Sequence, residues 1–143
     1  MTKTALGLAL ALAALLPASP AGSEDAVPRC HGKKATIWPG HWPMGPGRDG
    51  FNEIYGTPGD DVIVGTGGGD AVWGKQGNDT ICTGAGNDWV AAGAGRDWVN
   101  GGPGDDGALS GGSGRDVIHG GDGNDYCVDL THRDRLDCET ERR

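Results

Sequence analysis

From Gly56 to Val128 the chain repeats its chemistry every nine residues, and a phase held that long leaves few folds open. The rows read GTPGDDVIV, GTGGGDAVW, GKQGNDTIC, TGAGNDWVA, AGAGRDWVN and GGPGDDGAL, then one extra residue, Ser110, then GGSGRDVIH and GGDGNDYCV. Position four of every row is glycine: Gly59, Gly68, Gly77, Gly86, Gly95, Gly104, Gly114 and Gly123. Position six is always aspartate: Asp61, Asp70, Asp79, Asp88, Asp97, Asp106, Asp116 and Asp125. Position eight is apolar: Ile63, Val72, Ile81, Val90, Val99, Ala108, Ile118 and Cys127. A disordered glycine-rich tract would keep no such phase. An earlier row, Gly47 to Tyr55, keeps Ile54 and lacks the turn residues.

The spacing divides each row into a turn of six residues and a strand of three. Glycine lets the turn reverse through positive φ without strain. It also lets backbone carbonyls converge on an ion, while one Asp per turn supplies a carboxylate. Such a set of hard oxygens suits calcium, which takes six to eight of them. Strand side chains alternate, so position eight points inward and positions seven and nine point outward.

These rows resemble the hemolysin-type calcium-binding nonapeptide, the RTX repeat, over Gly56 to Val128. The resemblance implies an all-β fold, a right-handed parallel β-roll (a solenoid) in which row n stacks on row n+2. It implies Ca2+ between stacked turns, held by the eight Asp carboxylates and by backbone carbonyls near the eight position-four glycines. Up to six ions follow, and four to six are expected. The whole chain also resembles small secreted actinobacterial proteins known only for calcium binding. Several residues depart from the motif: Thr83 and Ala92 at position one, Thr57, Thr66 and Lys75 at position two, Arg96 and Arg115 at position five. Ser110 breaks the period, which offsets the turn of row seven from that of row five.

The flanks carry their own signals. Lys3 precedes an apolar run from Ala5 to Leu16, and small residues lead to Ala21. This reads as a signal peptide over 1–21, too short for a permanent membrane span, and predicts a secreted, extracellular protein. Residues 22–55, with Trp38, Trp42, Met44 and Phe51, read as an N-terminal capping segment. Residues 129–143, with Leu130 and Leu136, read as a C-terminal cap. RTX toxins and enzymes typically leave the cell on an uncleaved C-terminal signal, so the likeness lies in the repeat and not in the export route.

Export permits disulfides, and four Cys allow three pairings among which spacing does not choose. The stacking rule favours two links. Cys82 at position nine faces outward, within reach of the N-terminal flank and Cys30. Cys127 at position eight faces inward at the last coil, within reach of a lid carrying Cys138. A zinc site would want a CxxC pair, and none is present.

The net charge of -8 argues against nucleic-acid partners, which need a basic surface. His31, His41, His119 and His132 form no HExxH, and no GxSxG occurs. Asp60–Asp61 and Asp105–Asp106 are better read as turn residues than as catalytic pairs, so no enzyme is expected. An ice-binding roll would want regular Thr ladders, and the outward positions are irregular. The even-row strands present Ala71, Trp73, Trp89, Ala91, Leu109, Tyr126 and Val128 outward. That face is either covered by the N-terminal flank or used as an adhesin surface toward a glycan or other cell-surface partner.

Overall fold

The computed structural model describes residues 27–39, 51–128, 134–138 and 140–142. The signal-peptide reading, Trp42, Met44 and Leu130 lie outside the described residues. Among those described, every regular element is a strand. Odd rows supply β4 (Val62–Val64), β6 (Thr80–Cys82), β8 (Trp98–Pro103) and β10 (Val117–Asp122). Even rows supply β5 (Asp70–Gln76), β7 (Trp89–Gly95), β9 (Ala108–Gly114) and β11 (Tyr126–Val128). The two sets form two parallel sheets, extended by β3 (Asn52–Tyr55), β12 (Arg135–Asp137) and β13 (Thr140–Arg142). The five-stranded sheet runs β12-β10-β8-β6-β4, and the six-stranded sheet runs β13-β11-β9-β7-β5-β3. The chain is therefore a parallel β-solenoid with two rows per coil.

Alternation explains the interior. Strand residues at position eight pair one above another: Ile63 with Ile81, Ile81 with Val99, Val99 with Ile118. A second column runs from Ile54 through Val72, Val90 and Leu109 to Cys127. Both columns are buried and make one core, with Ile37 at its N-terminal end and Leu136 packed against it. Each side chain is modest, so the interior is a narrow seam between two sheets.

Stacking also relocates the extra residue. Trp89 pairs with Ala108 and Val90 with Leu109, while the Asp88 amide donates to the Asp106 carboxylate at 2.9 Å. The additional residue is thus Gly107, between Asp106 and the strand, and not Ser110. Leu109 is fully buried and Ala108 faces outward, the reverse of the sequence reading. Burying Leu in place of Ala gains apolar area, and a residue without a side chain bulges at least cost. Rows five and seven then stay in register, Gly93 on Gly112 and Gly95 on Gly114, so the expected offset does not occur.

The tail holds a ninth row that its composition hides. Asp134 follows Asp125 by nine residues, and Leu136 follows Cys127 by nine. β12 pairs with β10, Leu136 on Ile118, and the Asp116 amide donates to Asp134 Oδ1 at 3.0 Å. The glycines that mark the other turns are absent, so the nine-residue spacing alone did not single it out.

Among the described residues of the N-terminal flank, residues 29–34 lie against the odd-row sheet, and Tyr55 at its end stacks on the aromatic face. A hairpin of β1 (Arg29–Cys30) and β2 (Lys33–Lys34) turns at His31 and Gly32, both at positive φ. Its Lys33 amine donates to Thr80 Oγ1 at 2.9 Å, and His31 packs on Trp98 with ring centroids 4.2 Å apart. Disulfides join Cys30 to Cys82 and Cys127 to Cys138. The first closes 52 residues and the second 11. Loop-closure entropy then assigns about 4 and about 3 kcal/mol to them. The double substitution Cys30→Ser, Cys82→Ser is expected to lower denaturant stability of the calcium-loaded protein by the larger amount. Peptide mapping of the unreduced chain should recover both links, and a Cys82–Cys127 peptide would contradict the fold.

Candidate metal centre

Each turn edge of the solenoid carries a ladder of buried carboxylates. Asp61, at 5% exposure, is the most accessible of the eight repeat aspartates. The amide of each but Asp125 donates to Oδ1 of the Asp one coil further on. Asp61 donates to Asp79 at 2.9 Å, Asp79 to Asp97 at 2.8 Å and Asp97 to Asp116 at 2.9 Å. On the other edge Asp70 donates to Asp88 at 2.8 Å, Asp88 to Asp106 at 2.9 Å and Asp106 to Asp125 at 3.1 Å. Position six is aspartate because its short carboxylate reaches one coil and no further.

The second oxygen is left over. Oδ2 of Asp79, Asp88, Asp97 and Asp106 is buried and accepts no hydrogen bond. Thr83 lies beside Asp88, but its single hydroxyl proton goes to the Gly101 carbonyl at 2.6 Å. A buried carboxylate oxygen without a donor is costly unless a cation meets it. Burial pushes Asp79 up to about 6, aided by the charges of Asp61 and Asp60 and opposed by the Asp61 amide. Burial likewise drives Asp97 and Asp106 up to about 7, with Asp116 and Asp79 or Asp88 and Asp125 adding repulsion. Asp88 is raised too, again chiefly by burial.

Carbonyl oxygens line the same gaps. A side chain built on Gly74 would collide with the Asp79 carboxylate and with the Ala92 carbonyl of the next coil. One built on Gly101 would meet Asp106 and the Gly120 carbonyl in the same way. Gly93 and Gly95, at φ +118° and +152°, approach the Lys75 and Gly77 carbonyls too closely for any Cβ. The gap between rows three and five therefore gathers carbonyl oxygens around one carboxylate. Among the described residues no three His, Cys, Asp or Glu side chains converge. A cation here would take most of its ligands from the backbone, as a hard ion of large coordination number does. The donor set fits Ca2+.

Neighbouring polar residues have other work. Asp60 and Asp105 belong to a second, outer ladder. Asp60 Oδ1 accepts from the Asn78 amide at 2.6 Å, and Asp105 Oδ1 from the Asn124 amide at 2.9 Å. That ladder absorbs the Asp pairs as turn residues. On the odd edge it reaches Arg96, whose amide donates to Asn78 at 2.9 Å. The N-terminal ends of the inner ladders use residues that the sequence did not single out. Thr36 donates its hydroxyl to Asp61 Oδ1 at 3.3 Å, and Asn52 donates its amide to Asp70 Oδ1 at 2.9 Å. Asn52 stands at position six of the degenerate row, a signal that was present in the spacing.

The aromatic face is a stack of rings. Tyr55 and Trp73 lie parallel with centroids 4.6 Å apart, and Trp73 meets Trp89 at 5.3 Å. Tyr126 lies on the same sheet, and Leu109 does not belong to this face.

A family model described as RTX calcium-binding nonapeptide repeat (4 copies) matches residues 46–81, 83–107 and 108–128, more than half of the chain. No curated protein and no solved structure gives a significant match.

Proposed function

This chain belongs to the RTX calcium-binding nonapeptide repeat family, and on that premise we propose that it is an exported module that folds by taking several Ca2+ ions between its stacked turns. The observation that carries the reading is the set of buried, undonated Oδ2 atoms on Asp79, Asp88, Asp97 and Asp106. Bound Ca2+ would supply the positive charge those oxygens lack and bridge turns that otherwise repel. The repeat segment holds 11 Asp against Lys75, Arg96 and Arg115, so stacking concentrates negative charge along two edges. Magnesium is a poor substitute, because it demands tight octahedral geometry and dehydrates reluctantly. Outside the cell, dissociation constants of about 0.1–1 mM suffice.

The module reads as a binding and structural protein and not as a catalyst, since the Asp pairs serve as ladder residues.

Isothermal titration calorimetry tests the proposal. Asp97→Ala is expected to remove one site and weaken its neighbours, lowering overall affinity about tenfold or more, while Asp61→Ala has a much smaller effect. Asp97 lies between coils on both sides, whereas Asp61 ends its ladder. Equal losses at both positions would contradict inter-turn binding.

A further inference from the structure

The first two turns differ from the rest in how they treat their aspartates. In row four the Gly84 amide donates to the Gly101 carbonyl of the next coil at 3.2 Å, leaving Asp88 Oδ2 uncovered. In rows one and two the same amide points at the turn's own carboxylate. Thr57 N–H donates to Asp61 Oδ2 at 2.6 Å, and Thr66 N–H donates to Asp70 Oδ2 at 2.6 Å. The hydroxyls add to this. Thr57 Oγ1 lies 3.0 Å from Asp61 Oδ2, and Thr66 Oγ1 lies 2.9 Å from Asp70 Oδ1. Asn52 takes the remaining oxygen of Asp70, and Thr36 lies 3.3 Å from that of Asp61, its one proton shared with the Val62 carbonyl at 3.2 Å.

Backbone conformation follows the same division. Position two has positive φ in row three, at Lys75 (φ 84°), and in later rows, as at Gly93 (φ 118°). Thr57 and Thr66 do not enter that region, and neither do Gly59 and Gly68 at position four. A β-branched residue resists positive φ, so threonine at position two selects the other turn. That turn aims an N–H, not a vacancy, at the carboxylate. A cation placed there would face inward-pointing donors and be repelled.

We propose that the first inter-turn gap on each edge, rows one to three and rows two to four, is an ion-free cap closed by Thr57 and Thr66, and that calcium sites begin in the gaps served by Asp79 and Asp88. The proposal rests on the calcium reading above and refines where the ions sit. The cap terminates each ladder with neutral donors, so the solenoid has an end that needs no metal. Calcium then loads only from row three onward.

Native mass spectrometry of the full chain with calcium counts the ions. Asp61→Asn and Asp70→Asn are expected to bind as many ions as the unaltered protein, and Asp79→Asn and Asp88→Asn one fewer each. Loss of an ion with Asp61→Asn or Asp70→Asn overturns the cap. Independently of how variants fold, crystals of the unaltered chain grown with terbium should give anomalous peaks beside Asp79 and Asp88 and none beside Asp61 and Asp70. A peak at either of the latter overturns the cap as well. An unaltered protein that binds no ion at all would instead refute the calcium reading itself.

Discussion

In excess chelator at neutral pH the repeat segment is expected to lose most of its strand signal in far-ultraviolet circular dichroism, and to regain it when calcium is added. The interior offers two columns of single aliphatic side chains, small for the length of backbone it must order. Against that gain stand the stacked carboxylates, buried and in part without donors. Breaking or omitting the partner of a buried charge costs several kcal/mol per group. A ligand that binds only the folded form stabilises it by about 2.7 kcal/mol per site at a hundredfold excess over its dissociation constant. Four such gaps would contribute about 10 kcal/mol, comparable to the entire stability of an ordinary domain. Magnesium at equal concentration should restore little of the signal. A full strand spectrum in chelator, unchanged by calcium, would leave a solenoid held by its disulfides and hydrogen bonds and would refute metal-driven folding.

Acidification should act in the opposite sense to its effect on most proteins. Asp79, Asp97 and Asp106 have folded values of about 6, 7 and 7 against an ordinary 3.8. A carboxyl raised on folding favours the native state when protonated. Its stabilising contribution is complete below the unfolded value, near pH 4, and is lost as pH rises through 6 to 7. Each tenfold gain in proton affinity on folding is worth about 1.4 kcal/mol, so the three groups together bias the metal-free roll by several kcal/mol. In chelator the protein at pH 5 is therefore expected to show more strand and a higher melting temperature than at pH 8. With calcium present the trend reverses, because protons compete for the same oxygens, and affinity should fall as pH drops from 8 to 5. Circular dichroism melts at both pH values, with and without calcium, check both arms. Strand content that falls on acidifying the chelated protein would show that the carboxylates are not desolvated as the fold requires.

Much of this molecule was legible in the chain. Asp at position six and an apolar residue at position eight are dictated by local geometry, because a nine-residue row leaves one inward carboxylate and one inward strand residue. The inward columns follow from that, while the β-solenoid with two rows per coil is what the likeness to the RTX repeat implied. The Cys82 and Cys127 environments followed as well, since alternation alone sets which way each points. The reading failed where the deciding contact lies one coil away. Whether Ala108 or Leu109 enters the core depends on what Val90 and Cys127 need beside them, and that moved the extra residue from Ser110 to Gly107. Asp134 has its spacing but none of the glycines, and only its stacking on Asp116 reveals a ninth row. Thr57 and Thr66 looked like imperfect copies of glycine, yet tertiary structure makes them donors to Asp61 and Asp70. In a solenoid the nearest neighbours in space stand 18 or 19 residues apart. Periodicity therefore specified the repeated unit, while the ends, the bulge and the hydrogen-bond state of each carboxylate were decided by which rows came to lie against each other.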